Sequence, residues 1–147
     1  MIDPDIPLEV LFSILNRNHF VFVNKEAKHL NITGSQMPCL KFISHKPGIT
    51  QEDLANTFQI DKGSIARAVK KLEDNELLYR INDPANRRKY LIFLTEKGEN
   101  IIPEIKGIEE RWKKIVCEGL NEDENSKLME FMNLLAENSI EKIKNRS

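Results

Sequence analysis

No stretch of this 147-residue chain is long and apolar enough to span a membrane, and residues 1–7 are acidic, so neither a transmembrane helix nor a secretory leader is expected. A cytoplasmic location follows by default. Cysteine is scarce: Cys39 and Cys117 form no metal pattern, and a cytosolic pair is ordinarily reduced. His19, His29 and His45 share no ligand spacing, so neither a metal site nor a cofactor is expected. None of the glycines builds a phosphate-cradling loop, and no nucleophile elbow occurs. The sequence offers no catalytic residue and does not read as an enzyme.

Net charge is also nearly absent, formally −1, which by itself argues against a nucleic-acid partner. Its distribution argues the other way. Residues 61–90 carry eight Lys and Arg against five Asp and Glu, whereas both flanking segments are slightly acidic. With 31% charged and 40% hydrophobic residues the composition is that of an ordinary soluble protein. The length suits one core, or one small domain with long extra helices.

The positive segment has a definite order. Thr50, Asp53, Ile49 and Leu54 mark a helix start with a capping box and a hydrophobic staple, and Leu54, Ala55 and Phe58 form a short apolar stripe. Asp61 caps a second helix, with Ile60 and Ile65 as its expected staple. Ile65, Ala68, Val69 and Leu72 share one face of that helix; Lys62, Ser64, Arg67, Lys70 and Lys71 share the other. In helix-turn-helix proteins the start of the second helix reaches base edges in the major groove. Ser64 and Arg67 are the base-reading candidates, and Lys62, Lys70 and Lys71 the phosphate-neutralising ones.

A basic helix face in isolation is ordinarily a solvated face. The next segment shifts the reading. Residues 77–81 and 89–94 are two β-prone runs, and the turn between them holds Arg87 and Arg88. Cations at a hairpin tip suit a narrow, A·T-rich minor groove. The order is that of a winged helix-turn-helix.

The run Asp83-Pro84-Ala85-Asn86-Arg87-Arg88 and the run Leu94-Thr95-Glu96-Lys97-Gly98, preceded by GITQEDLA from Gly48 and DKGSIARAVKKLE from Asp61, resemble the MarR family of dimeric winged-helix transcriptional regulators. The resemblance covers nearly the whole chain. It implies that Arg88, seven residues before Thr95, enters the minor groove. The family usually holds that arginine with an aspartate two residues earlier, where this chain has Asn86; an amide can still accept a hydrogen bond from a guanidinium. The family commonly ends its recognition helix with glycine, where this chain has Glu76. Either Asn75 takes the left-handed conformation instead, or the helix closes differently.

The flanks read as helices. Leu8, Leu11, Phe12, Leu15, His19 and Phe22 recur at helical steps within residues 8–30, and Val10, Ile14 and Val21 widen that stripe beyond one neighbour. Thr33 with Gln36 reads as a capping box for a helix through Leu40, Phe42 and Ile43, with Pro38 early in it. After Thr95, the series Ile101, Ile105, Ile108, Trp112, Ile115 has the spacing of a helix-helix seam, and Pro103 is expected to bend it. Asn121 and Glu124 open a last helix with Leu128, Phe131, Met132, Leu135 and Ile140.

The fold class expected is mainly α with a small β-hairpin wing. The domains expected are an N-terminal dimerisation helix at 1–32, a winged helix-turn-helix at 33–95 (recognition helix about 61–75, wing about 77–94) and C-terminal dimerisation helices at 96–147. The resemblance implies a homodimeric regulator, expected to be a repressor, that binds double-stranded DNA at a pseudo-palindromic operator and responds to a small amphipathic or phenolic effector. Phe12, His19, Phe22 and Trp112 suit a flat ligand, but aromatic residues on helical stripes are core more often than not, so no effector residue is assigned. Two alternatives carry different expectations: a protein-interaction winged helix of the transcription machinery, and a redox-sensing regulator acting through Cys39 or Cys117.

Overall fold

The computed structural model describes residues 1–145; Arg146 and Ser147, the end of the expected 96–147 segment, lie outside the described residues. In order, the elements are α1 (Leu8–Glu26), a 3-10 turn (Lys28–Leu30), α2 (Met37–His45), α3 (Gln51–Phe58), α4 (Lys62–Asp74), β1 (Leu78–Asp83), β2 (Asn86–Leu94), α5 (Glu96–Val116) and α6 (Glu122–Lys144). A mainly α chain with one two-stranded antiparallel hairpin is the class expected from the sequence. Contacts divide it into two compact units, Met1–Trp112 and Lys113–Ser147.

In the first unit the apolar faces converge on one core. Val23, Leu40, Ile43, Leu54, Ile65, Val69, Leu72, Leu77, Ile92, Ile105 and Ile108 are all buried within it. At roughly 25 cal/mol per Å² of apolar surface, burying a side chain of this size stabilises by about 1.5–3 kcal/mol. The core therefore fixes α4 from behind and leaves its polar face in water.

Local signals explain the boundaries. The Thr50 hydroxyl accepts from the Asp53 amide at 3.1 Å and the Asp53 carboxylate accepts from the Thr50 amide at 3.3 Å, closing the capping box. The α3 helix ends on Gln59, which is left-handed at φ 54°. Only half of the Thr33 box forms: the Gln36 side chain accepts from the Thr33 amide at 3.1 Å, while the Thr33 hydroxyl pairs with Ser35. A turn over residues 33–37, with Met37 N donating to Thr33 O, delays the helix to Met37 and puts Pro38 in its first turn, where a missing amide is tolerated. The Ile60–Ile65 staple is also not closed, because Ile60 stays 45% exposed while Ile65 is buried.

Polar side-chain contacts join the segments before α3 to α5. Lys41 pairs with Glu109, His29 with Glu104, and Arg111 Nη2 with Glu26 Oε2 at 2.9 Å. The Trp112 ring meets His19 edge-on at 5.2 Å and Phe22 at 5.5 Å, so three of the four aromatic candidates pack together, while Phe12 stays 37% exposed. The α5 helix runs through Pro103 without a break.

In the second unit, Asn121 and Glu124 form the expected reciprocal capping box at the start of α6. None of the residues described there is buried, and Leu128, Met129, Phe131, Met132, Leu134 and Leu135 all face water.

Candidate nucleic-acid interface

The α4 helix has two chemically distinct faces. Ile65, Val69 and Leu72 are buried, whereas Lys62, Arg67, Lys70 and Lys71 are exposed and Ser64 is half-buried. The sequence assigned these five polar residues to one face; in the structure all five lie off the buried stripe, and of the five only Ser64 and Arg67 bond to each other. Their partners differ. Lys62 Nζ lies 3.9 Å from Glu52 on α3, and Lys70 Nζ donates to Asp74 Oδ1 at 2.5 Å one turn further on. That contact raises the Lys70 pKa above the ordinary lysine value. Lys71 has neither kind of partner among the described residues.

At the start of the helix the Asp61 carboxylate accepts from the Ser64 amide at 2.8 Å and from the Ser64 hydroxyl at 2.6 Å, which holds its pKa below the usual carboxylate range. Arg67 Nη2 donates to the Ser64 hydroxyl oxygen at 3.0 Å. The two base-reading candidates are therefore hydrogen-bonded to each other. Sequence reasoning took Asp61 as a cap alone, although the three-residue spacing from Asp61 through Ser64 to Arg67 was there to be read.

The end of the helix is closed by residues downstream. Asn75 is not left-handed, at φ −83°; Glu76 itself is, at φ 60°. Thr95 Oγ1 donates to Glu76 O at 2.6 Å and Lys97 Nζ donates to Asn75 O at 2.9 Å, satisfying carbonyls that a helix terminus leaves open. Thr95 Oγ1 also accepts from Gly98 N at 3.0 Å and so caps α5. A Cβ on Gly98 would lie 2.0 Å from the Leu77 carbonyl oxygen. The Thr95–Gly98 run is therefore a joint between α4, the wing and α5.

The wing is anchored at its base. Leu78 pairs with Leu94 and the register runs to Asn82 opposite Tyr90. Arg80 Nε and Nη2 donate to the two oxygens of Glu73 at 2.9 Å each, and the guanidinium lies 5.5 Å from the Tyr90 ring centre. This pair binds β1 to α4 and lowers the Glu73 pKa. The sequence reading missed it, and also an isolated antiparallel bridge onto β2: Gly48 N donates to Ile92 O at 2.8 Å and Ile92 N to Ile49 O at 2.9 Å.

At the tip, the pairing jumps from Asn82–Tyr90 to Asp83–Asn86, leaving Arg87, Arg88 and Lys89 without cross-strand partners. Asn86 does not hold the Arg88 guanidinium. Its side-chain oxygen accepts from the Arg88 backbone amide at 3.1 Å, because an Asx turn is closer at hand than a side chain two residues away. Arg87 and Arg88 are exposed, and no carboxylate pairs with either among the described residues.

Cys39 is buried and its thiol is pushed up to about 11 by desolvation, so the reactive thiolate is disfavoured at neutral pH. No helix among the described residues is long and apolar enough to cross a membrane.

Comparison with known proteins agrees with this geometry. The MarR family model matches residues 32–90. The HTH-type transcriptional regulator YybA of Bacillus subtilis (strain 168) is 30% identical over 115 residues, which span 78% of this chain and 77% of that one. A MarR-family regulator of Listeria monocytogenes, solved in complex with 26mer DNA, superposes with a TM-score of 0.86 at 29% identity, covering 90% of this chain and 89% of that one. A crystal structure of MarR is 41% identical, covers 99% of both chains and superposes with a TM-score of 0.86. With the capped helix pair, the anchored wing and these relatives together, the chain belongs to the MarR family of transcriptional regulators.

Proposed function

We propose that this protein binds double-stranded DNA sequence-specifically as a homodimer, with α4 in the major groove and the wing in the adjacent minor groove of each half-site of a pseudo-palindromic operator. Ser64 and Arg67 read base edges. Lys62, Lys70 and Lys71 neutralise phosphates, and Arg87 and Arg88 enter the minor groove. The observation that carries this reading is the segregation of charge: the cations of α4 and the wing tip stand in water on elements whose opposite faces are locked into the core. Occlusion needs only binding, so repression is the simplest output, and release on binding a small amphipathic or phenolic effector follows the family pattern.

A second copy of the chain is the proposed cover for the apolar side chains of the flanking helices. Leu8, Phe12, Leu15 and Val21 of α1 are exposed, as are Met129, Phe131 and Leu134 of α6. The functional segments are thus 1–32 and 96–147 for dimerisation and 33–95 for DNA. The protein-interaction alternative has no specific observation in its favour. Sedimentation of the micromolar protein, alone and with the duplex upstream of its own gene, tests the proposal. A two-chain mass and one dimer per duplex are expected; a monomer that ignores the duplex would end it.

A further inference from the structure

This inference rests on the reading that α4 enters the major groove. Asp61, Ser64 and Arg67 stand three residues apart, which puts them on one helix face. The Ser64 hydroxyl gives its single proton to Asp61 Oδ2 at 2.6 Å, so on its other side it has only lone pairs to offer. One of these accepts from Arg67 Nη2 at 3.0 Å. The carboxylate thus fixes the hydroxyl, and the hydroxyl fixes the guanidinium. Gly63 keeps the space clear, since a Cβ there would lie 3.2 Å from Asp61 Oδ1 and 3.3 Å from Arg67 Nη1.

The arrangement has consequences for recognition. A free arginine side chain carries roughly 2 kcal/mol of rotamer entropy, which a base contact must otherwise overcome. Here Arg67 is held to its own helix through one of its five N–H groups, and the remaining donors suffice for a two-pronged contact. In the major groove guanine presents two adjacent acceptors, O6 and N7, that match such a fork. A carboxylate beside the guanidinium also disfavours a phosphate as the competing partner. We propose that Asp61 acts through Ser64 as a positioning residue that aims Arg67 at a guanine edge, so that the three residues together set specificity at one G·C pair of each half-site.

The test begins with selection of binding sites from a randomised duplex pool by the full-length protein. Anisotropy titrations then follow on the selected duplex with each base pair replaced singly. Wild type is expected to lose affinity by a factor of about 5–150 when one G·C pair per half-site becomes A·T, and Arg67→Ala to be indifferent there. Ser64→Ala leaves Asp61 Oδ1 free to cap the residue-64 amide, and Asp61→Asn keeps a side chain that caps as well as aspartate, so both variants retain the helix start. Both are expected to shrink discrimination at that one pair to under about threefold; Asp61→Asn, which removes no group placed against the bases, is expected to leave every other position unchanged, whereas Ser64→Ala also loses the base-edge contact of its own hydroxyl.

A purely structural cap would instead shift thermal stability and all positions together. Full wild-type discrimination in Ser64→Ala and Asp61→Asn would overturn the positioning role while leaving the DNA-reading helix intact, and so would a G·C preference that survives Arg67→Ala. Failure of the wild-type protein to enrich any sequence would overturn both readings.

Discussion

The Thr95 hydroxyl donates to the carbonyl of Glu76 at 2.6 Å, across a corner where Glu76 is held left-handed at φ 60°. A side chain in that region costs about 1–2 kcal/mol relative to a right-handed residue, while glycine adds roughly 0.5–1 kcal/mol of chain entropy to be lost on folding. The first term is the larger. Glu76→Gly is therefore expected to stabilise the protein by about 0.5–1 kcal/mol, and Thr95→Val to destabilise it by about 1–2 kcal/mol through the loss of both the α5 cap and the Glu76 contact. Urea midpoints measure both; destabilisation by Glu76→Gly would contradict this account of the corner.

Gly98 is the strictest position of the same joint. Alanine in a helix interior ordinarily gains about 1 kcal/mol over glycine, but here its Cβ would lie 2.0 Å from the Leu77 carbonyl oxygen, with backbone on both sides of the clash. The clash wins. Gly98→Ala is expected to lower stability by about 3 kcal/mol or more and to reduce soluble yield; a variant as stable as wild type would show that the corner can open.

The Glu73–Arg80 pair gives a pH signature. The folded-state pKa of Glu73 is depressed by the Arg80 guanidinium, so its contribution is present above the unfolded value near 4.3 and fades as pH falls through the folded value below it. Both side chains keep some solvent contact, so the pair is worth on the order of 1 kcal/mol. The stability gap between wild type and Glu73→Gln is expected at pH 7 and should narrow below about pH 4. A gap unchanged at pH 3 in thermal melts would mean that the carboxylate charge contributes nothing.

Phosphate contacts should separate along α4. Lys71 is unpaired among the described residues, whereas Lys70 is engaged with Asp74. Removing a phosphate contact flattens the salt dependence of binding by about one unit of slope. Lys71→Ala is expected to do so on specific and scrambled duplex alike, and Lys70→Ala to do so less. Equal effects in an anisotropy salt series would mean that DNA displaces the Lys70–Asp74 pair completely.

Much of the fold was legible because its signals are local. The Thr50–Asp53 and Asn121–Glu124 boxes, the apolar stripe of α4 and the arginine-bearing hairpin each need only a few neighbouring residues, and each stands where the sequence put it. What was not legible depends on residues meeting around corners. The Ile49–Ile92 bridge is a single residue pair and carries no alternation to detect. Arg80 and Glu73 are brought together by the angle between α4 and β1. At Glu76 the backbone accepts a conformation that its side chain disfavours because Thr95 and Lys97 bind the adjoining carbonyls. At the site, the surface cations were visible, but the competition of the Asn86 side chain for a backbone amide rather than the Arg88 guanidinium was decided by turn geometry.

The most direct measurement is fluorescence anisotropy of the full chain on the duplex upstream of its own gene and on a scrambled duplex, at low and near-physiological salt. Tighter binding to the upstream duplex that survives salt and is lost in Arg67→Ala and Arg88→Ala is the predicted result. Equal, weak binding to both duplexes that salt erases, with the two variants indistinguishable from wild type, would contradict the claim that α4 and the wing read DNA sequence.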